Sequence, residues 1–179
     1  MSNLFMRSFV IILSMGIKAD VLQQLADLEP GRIPLDLFNA MARLTVTPVV
    51  EIAPLYNNVG VLSVLLCKRP EDDPLWPGQY HLPGTIVGAQ DRPGGYSDAF
   101  SRILNGRLRD VQTTEPIFVG SEIVKTARGA EIALIHWAEI LVNPKKDTLF
   151  PVDELPSDMI EGHPNFILMA IASYTAARS

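Results

Sequence analysis

The chain has 179 residues, 47% apolar and 20% charged, enough for one domain with a real core and unlike a disordered chain. The net charge of −5 comes without long like-charge runs, which excludes the broad basic face of a general nucleic-acid binder. A single cysteine, Cys67, excludes an internal disulfide, and its place in the apolar run 61–67 reads as a buried strand position in a reducing compartment.

Residues 4–17 are largely apolar, but the uninterrupted run 9–13 is far shorter than the roughly 20 residues that span a bilayer. Ile17-Lys18-Ala19-Asp20 is no small-x-small cleavage site, so the expectation is a cytoplasmic protein without a membrane partner. Met1 and Met15 are both open as the start, and the segment reads as an extra strand or helix or as an early start. Residues 19–28 carry apolar side chains at helical spacing, with Asp20 as a candidate cap and Glu29-Pro30-Gly31 as the stop. Pro34 opens a second short helix that runs to Leu44. Strands are expected over 46–56 and 59–68, joined at Asn57-Asn58 as a hairpin. A loop rich in Pro and Asp follows over 69–78, a short extended piece over 79–83, and a glycine-rich loop over 84–95. Residues 97–110 place Ala99, Phe100, Ile103, Leu104 and Leu108 three and four apart, which predicts one helix, with Gly106 inside it at a cost of about 1 kcal/mol. Strands over 116–125 and 132–142, an irregular stretch over 143–158 and a helix over 166–177 close the chain.

Two stretches carry chemistry. The strand ending Leu65-Leu66-Cys67-Lys68-Arg69 is followed by Gly78-Gln79-Tyr80-His81-Leu82-Pro83-Gly84. Together they resemble the Nudix hydrolase superfamily, in which an apolar strand ends in a basic residue and an aromatic precedes an apolar-Pro-Gly-Gly turn. Tyr80 stands where the family usually has tryptophan, and Thr85 where it has the second glycine. Residues 35–38 and 47–50 are also similar to the lead-in of the GDP-mannose hydrolase branch. The resemblance covers about residues 33 to 155. It implies an α/β (α+β) fold, a Nudix-like α/β/α sandwich with a mixed sheet over 33–179, preceded by an N-terminal helical extension over 1–32.

In that family three glutamates at i, i+3 and i+4 share one helix face and gather Mg²⁺ or Mn²⁺ against a diphosphate. Here Asp91 stands at the first acidic position and Arg102 at the family arginine, but ten residues separate them where the family has seven. Ile103, Gly106 and Arg107 take the three glutamate positions, and Arg109 replaces the following glycine. Keeping seven residues instead puts Ala99 and Phe100 at the Arg-Glu pair and loses the arginine. Neither isoleucine nor glycine ligates a metal, and Arg107 adds a permanent positive charge where one would sit. The usual metal site is therefore expected to be absent, with Mg²⁺ needed only if other carboxylates rebuild it. Asp91 and Glu154 are the first catalytic candidates for that role, ahead of Asp98, Glu115 and Glu122.

The candidates for binding substrate are Arg69, Tyr80, His81, Gly84, Arg102 and Arg107. Guanidinium groups suit phosphate oxygens, although strand-end and helix-face arginines are commonly just solvated. Trp76 and Tyr80 could stack on a base or pack over the sheet edge, and His81 could serve as a base but shows no partner in the sequence. His136 reads as a satisfied strand residue and His163 as a residue at a helix start. Two functions remain. One is a divergent hydrolase of a nucleoside diphosphate linked to another moiety. The other is a non-catalytic nucleotide-binding or interaction module on the same fold. In either case the partner is a small nucleotide-like molecule, not nucleic acid, and a homodimer is one state the reading allows.

Overall fold

The computed structural model describes residues 19–29, 33–144 and 148–179. The alternative starts Met1 and Met15, and the reading of residues 1–18, lie outside the described residues. Helices α1 (Ala19–Ala26) and α2 (Leu35–Ala42) form the described part of the N-terminal region.

Strand β1 (Val46–Asn58) is the centre of the molecule, because its interior is apolar on both faces and can be covered on both. It pairs parallel with β7 (Ala130–Glu139) on one side. On its other side it pairs antiparallel with β2 (Val61–Leu65) at one end and with β5 (Gly84–Ile86) at the other. Strands β6 (Ile117–Lys125) and β8 (Leu149–Pro151) complete a mixed sheet in the order β6-β7-β1-β2-β8, with β5 on β1. A second ribbon pairs β3 (Cys67–Lys68) with β4 (Tyr80–His81).

Helices cover both faces. Alternation along β1 sends Ala53 and Leu55 to one side, where α4 (His163–Ala176) packs Phe166, Ile167, Ala170 and Tyr174 over Ala133, Ile135 and Trp137. The indole of Trp137 donates to Ser173 Oγ at 3.1 Å on that helix. Val50 and Ile52 point to the opposite side and meet Ala99 and Ile103 of α3 (Ser97–Asn105), together with Leu65, Leu108 and Val111. The arrangement is the expected α/β/α sandwich with a mixed sheet.

Several boundaries differ from the sequence reading, each for a local reason. The hairpin turns at Val59-Gly60 rather than Asn57-Asn58: Val59 has φ 50 and Gly60 φ 90, and the Asn57 side chain accepts the Gly60 N–H at 3.1 Å. The expected strand 59–68 breaks at Leu66, whose N–H donates to the Thr148 carbonyl at 2.9 Å, and Cys67 continues in the second ribbon. The glycine-rich loop contains β5, which the sequence reading left irregular, and the irregular stretch 143–158 contains β8. The final helix starts at His163, earlier than expected.

The largest correction concerns α3. It ends at Asn105, not Asp110, because Gly106 leaves the helix at φ −104, ψ −83. Leu108 and Val111 nevertheless bury in the same cluster as Ile103, so the apolar spacing continues past the end of the helix.

Candidate functional site

The face of the sheet covered by α4 turns polar at one end. Residues 47, 49 and 51 of β1 lie beside 131, 133 and 135 of β7 on that face, which brings Glu51 and Glu131 into the same region. The 158–160 segment lies along the edge of β4: the Tyr80 N–H donates to the Asp158 carbonyl at 3.0 Å, and the Ile160 N–H to the Tyr80 carbonyl at 2.9 Å. This contact delivers Glu161 and His163 to the same end. The space enclosed is a cavity of about 190 Å³, lined by Glu51, Glu131, Arg69, Arg107, Arg128, Trp76, His81 and His163 among others.

Glu51 is 7% exposed, and its Oε2 has no hydrogen-bond partner. Burial, reinforced by the charge of Glu131, holds its carboxyl well above the usual carboxylate range. Gly84, opposite Glu51 in the β1–β5 register, provides the room: a Cβ there would lie 2.2–2.5 Å from the Glu51 carboxyl atoms. Glu131 is held differently, accepting from Arg128 Nε at 2.8 Å and from Thr126 Oγ1 at 3.0 Å. Trp76 lies 5.4 Å from each of the Arg69 and Arg128 guanidinium carbons, close enough for cation–π contact with both. Arg69 also pairs with Asp73 at 3.5 Å, while its Nε is buried without a partner. Arg107 is exposed and, among the described residues, has no ion-pair partner.

The two histidines are fixed in opposite tautomers by one backbone residue. The Leu82 N–H donates to His163 Nδ1 at 3.1 Å, so that nitrogen is unprotonated and the proton sits on Nε2. His81 Nδ1 lies 2.6 Å from the Leu82 carbonyl and must donate to it, which leaves His81 Nε2 as an acceptor; this atom is buried and unpartnered. Burial lowers His81 to about 4, with the charge of Arg69 adding to the effect, and burial lowers His163 to about 3. Both rings are neutral at pH 7. The unfolded chain binds protons at these histidines below pH 6.5 and the folded chain does not, so their contribution to stability is present above 6.5 and is lost as pH falls towards 4. Each costs about 1.4 kcal/mol per pH unit over that window. Glu51 acts in the opposite direction, since its raised carboxyl binds a proton in the folded chain as pH falls. The pair is therefore isolated by comparison with a His81→Gln/His163→Gln variant. Between pH 7.5 and 5.5 in urea denaturation the unsubstituted protein is expected to lose roughly 2–3 kcal/mol relative to the variant; equal changes in the two proteins would refute the neutral pair.

The sequence-derived candidates divide. Arg69, His81, Gly84 and Arg107 line the cavity. Tyr80 faces away from it, set edge-on against Phe150 at 5.2 Å with Lys68 above its ring at 5.8 Å. Arg102 pairs with Asp91 through both guanidinium Nη atoms, one at 2.8 Å, and donates to the Ile86 carbonyl at 2.9 Å; Asp91 in turn accepts the Gly88 N–H at 3.0 Å. Asp91 and Arg102 thus tie the 84–91 segment to α3 and do not line the cavity. Glu154 is exposed in the turn after β8, also away from it. The sequence reading passes over Glu51, Glu131, Arg128 and the cavity role of His163. The available signal was Glu51, the one acid of the largely apolar β1; Glu131 falls just before the expected start of its strand at 132.

Similar solved structures share this architecture. A MutT/nudix family protein from Listeria innocua matches over 74% of this chain and 97% of its own, at 18% identity and a TM-score of 0.54. The Nudix domain of Shewanella oneidensis NrtR, solved with ADP ribose, matches over 88% and 99%, at 15% identity and a TM-score of 0.54. NrtR in complex with a 27mer DNA matches over 72% of this chain and 62% of that one, at 17% identity and a TM-score of 0.55. This chain has the Nudix fold. No protein-family description matches it, and no curated relative does.

The Nudix fold directs attention to the positions where its helix would carry glutamates. They do not form a carboxylate face here. Ile103 is 1% exposed and faces the core, while Gly106 and Arg107 lie beyond the end of α3. The adjoining cleft is lined by Gly84, Thr85, Arg102, Ile103, Gly106 and Arg107, a set that offers two cations and no carboxylate. Among the described residues no cluster of three or more His, Cys, Asp or Glu side chains could hold a metal ion. The donor set does not fit a divalent cation. No helix among the described residues is long and apolar enough to cross a membrane.

Proposed function

We propose that the chain binds a small nucleotide-like ligand, a nucleoside diphosphate linked to another moiety, without hydrolysing it through a helix-bound metal. The observation that carries the reading is the lining of the cavity: three guanidinium groups, Arg69, Arg107 and Arg128, stand where diphosphate oxygens could be held without a cation between them. Arg107, which has no ion-pair partner among the described residues, supplies the uncommitted charge. A volume of about 190 Å³ is below the usual 300–1,000 Å³ of a small-molecule site, so the cavity takes one end of such a ligand and leaves the rest at the surface. The similarity to a Nudix domain solved with ADP ribose supports this ligand class. The net charge of −5 favours a small molecule over a nucleic acid.

One observation favours the alternative, a divergent hydrolase: the carboxyl groups of Glu51 and Glu131 share the cavity. Calorimetric titration with ADP-ribose, first in EDTA and then in Mg²⁺, separates the two. Binding is expected in EDTA, changed less than about threefold by Mg²⁺, and weakened about tenfold by Arg107→Ala through loss of a charge-assisted contact. Brisk Mg²⁺-dependent release of AMP would overturn the binding reading and make Glu51 and Glu131 the residues to substitute next.

A further inference from the structure

The buried end of the cavity asks for a different chemistry from its mouth. Arg107, at the mouth, is exposed and cationic. Inside, three polar atoms are buried with no partner: Glu51 Oε2, His81 Nε2 and Arg69 Nε. Glu51 and His81 are 7% and 3% exposed, and all three residues line the cavity. His81 Nε2 can only accept, because its ring proton is committed to the Leu82 carbonyl. His163 carries its proton on Nε2 and so can donate. The arrangement leaves hydrogen-bonding capacity of both kinds, and groups that stay unsatisfied when buried are costly.

A phosphate meets only part of that demand. It answers Arg69 Nε, but it presents only acceptors, so it leaves His81 Nε2 unanswered and sets anionic oxygens against Glu131. A cation meets the guanidinium groups of Arg69 and Arg128. An aliphatic group satisfies none of the buried atoms. Adjacent hydroxyls do: each donates and accepts, and each is uncharged. The whole cavity, at about 190 Å³, is below the usual size of a small-molecule site, so its inner end takes no more than a single ring.

We propose that the inner end of this cavity is a subsite for the vicinal hydroxyls of a sugar ring, with Glu51 as the residue that selects for them and His81 and His163 as its acceptor and donor companions. The inference rests on the binding function proposed above and names the end of the ligand that is buried. The hydroxyls could belong to the nucleoside's own ribose or to a second sugar beyond the diphosphate.

Calorimetry in EDTA with ADP, ADP-ribose and 2′,3′-dideoxy-ADP distinguishes these sources. If the second sugar enters, ADP-ribose binds at least tenfold tighter than ADP. If the nucleoside ribose enters, the dideoxy compound binds at least tenfold weaker than ADP. In Glu51→Leu the difference is expected to vanish while ADP binding persists; Glu51→Gln, which still donates and accepts, is expected to keep it within about threefold. The comparison among ligands on the unsubstituted protein needs no variant, so it stands even if one fails to fold. Three ligands bound alike, or a difference that survives in Glu51→Leu, would overturn this inference and leave the binding function standing. Failure of all three to bind would overturn both.

Discussion

Placing a glutamate at Ile103, the first of the three positions where a Nudix helix would carry its metal ligands, is expected to unfold the protein or come close to it, not to create a metal site. Ile103 is 1% exposed and packs with Val50, Ile52 and Leu65 in the core between α3 and the sheet. Losing its buried apolar surface costs about 2 kcal/mol. Keeping a carboxyl neutral there at pH 7 costs roughly 4 kcal/mol more, about 1.4 kcal/mol for each unit between its ordinary pKa and the solvent pH. The sum, about 6 kcal/mol, is comparable with the whole stability of an ordinary domain. A chain of this size should lose more than about 10 °C in Tm, whereas Ile103→Val should lose about 1 kcal/mol. The neutralisation cost shrinks as pH falls, so at pH 5 the Ile103→Glu variant should recover roughly 3 kcal/mol relative to the parent. Thermal melts at both pH values, with and without millimolar Mg²⁺, check this. A variant that folds normally and gains Tm on adding Mg²⁺ would show that the side chain turns outward and binds metal. Gly106 is no better placed to receive a glutamate, since its Cβ would lie 2.7 Å from the Arg102 carbonyl oxygen.

The same helix shows what the sequence carried and what it did not. Its start and its buried side were legible, because Ala99, Ile103 and Leu104 recur at helical spacing and meet Leu65 as the Pro83-Gly84 turn implied. Its end was not. Leu108 and Val111 continue the apolar spacing although the chain has left the helix, so Gly106 reads as a costly interior residue when it is the stop. The Tyr80–Gly84 stretch carried the fold, and its His81 and Gly84 line the cavity. Glu51 and Glu131 were invisible for a different reason. Glu51 is the one acid of β1, Glu131 is one of two in β7, and they share the cavity only because β1 pairs parallel with β7, a partner far away in sequence. The hydrogen bond between Leu82 and His163 spans 81 residues, and no local pattern announces it. Local periodicity gave the layers. The polar end of the cavity is made by long-range pairing, and so had to be seen.

Long-range pairing also explains why one glycine outside the cavity lining is expected to matter for both stability and binding. Gly129 closes the turn between β6 and β7, where the Thr126 N–H donates to the Gly129 carbonyl at 2.8 Å and the Gly129 N–H returns to Thr126 at 3.2 Å. Its φ is 152, and a Cβ there would lie 2.4 Å from the Ala42 carbonyl oxygen and 2.9 Å from its carbon, at the end of α2. Both are backbone atoms, so no side chain can rotate out of the way. In Gly129→Ala either α2 or the turn must move, at about 3 kcal/mol for strain and overpacking together, or roughly 6–12 °C in Tm. Gly60 is the control: its φ of 90 is also unfavourable for alanine, but nothing lies within 4 Å of its Cβ, so Gly60→Ala should cost only about 1 kcal/mol. The turn carries Arg128, whose guanidinium holds Glu131 at 2.8 Å, lies 5.4 Å from the Trp76 ring and 5.7 Å from Phe38 of α2. A displaced turn therefore carries an arginine away from the cavity, and ligand affinity should fall along with Tm in Gly129→Ala but not in Gly60→Ala. Melting and ADP-ribose titration of both variants check the pair of effects. Equal Tm losses at the two glycines would mean that the α2 contact does not constrain the turn. Full affinity in a destabilised Gly129→Ala would mean that Arg128 does not depend on it.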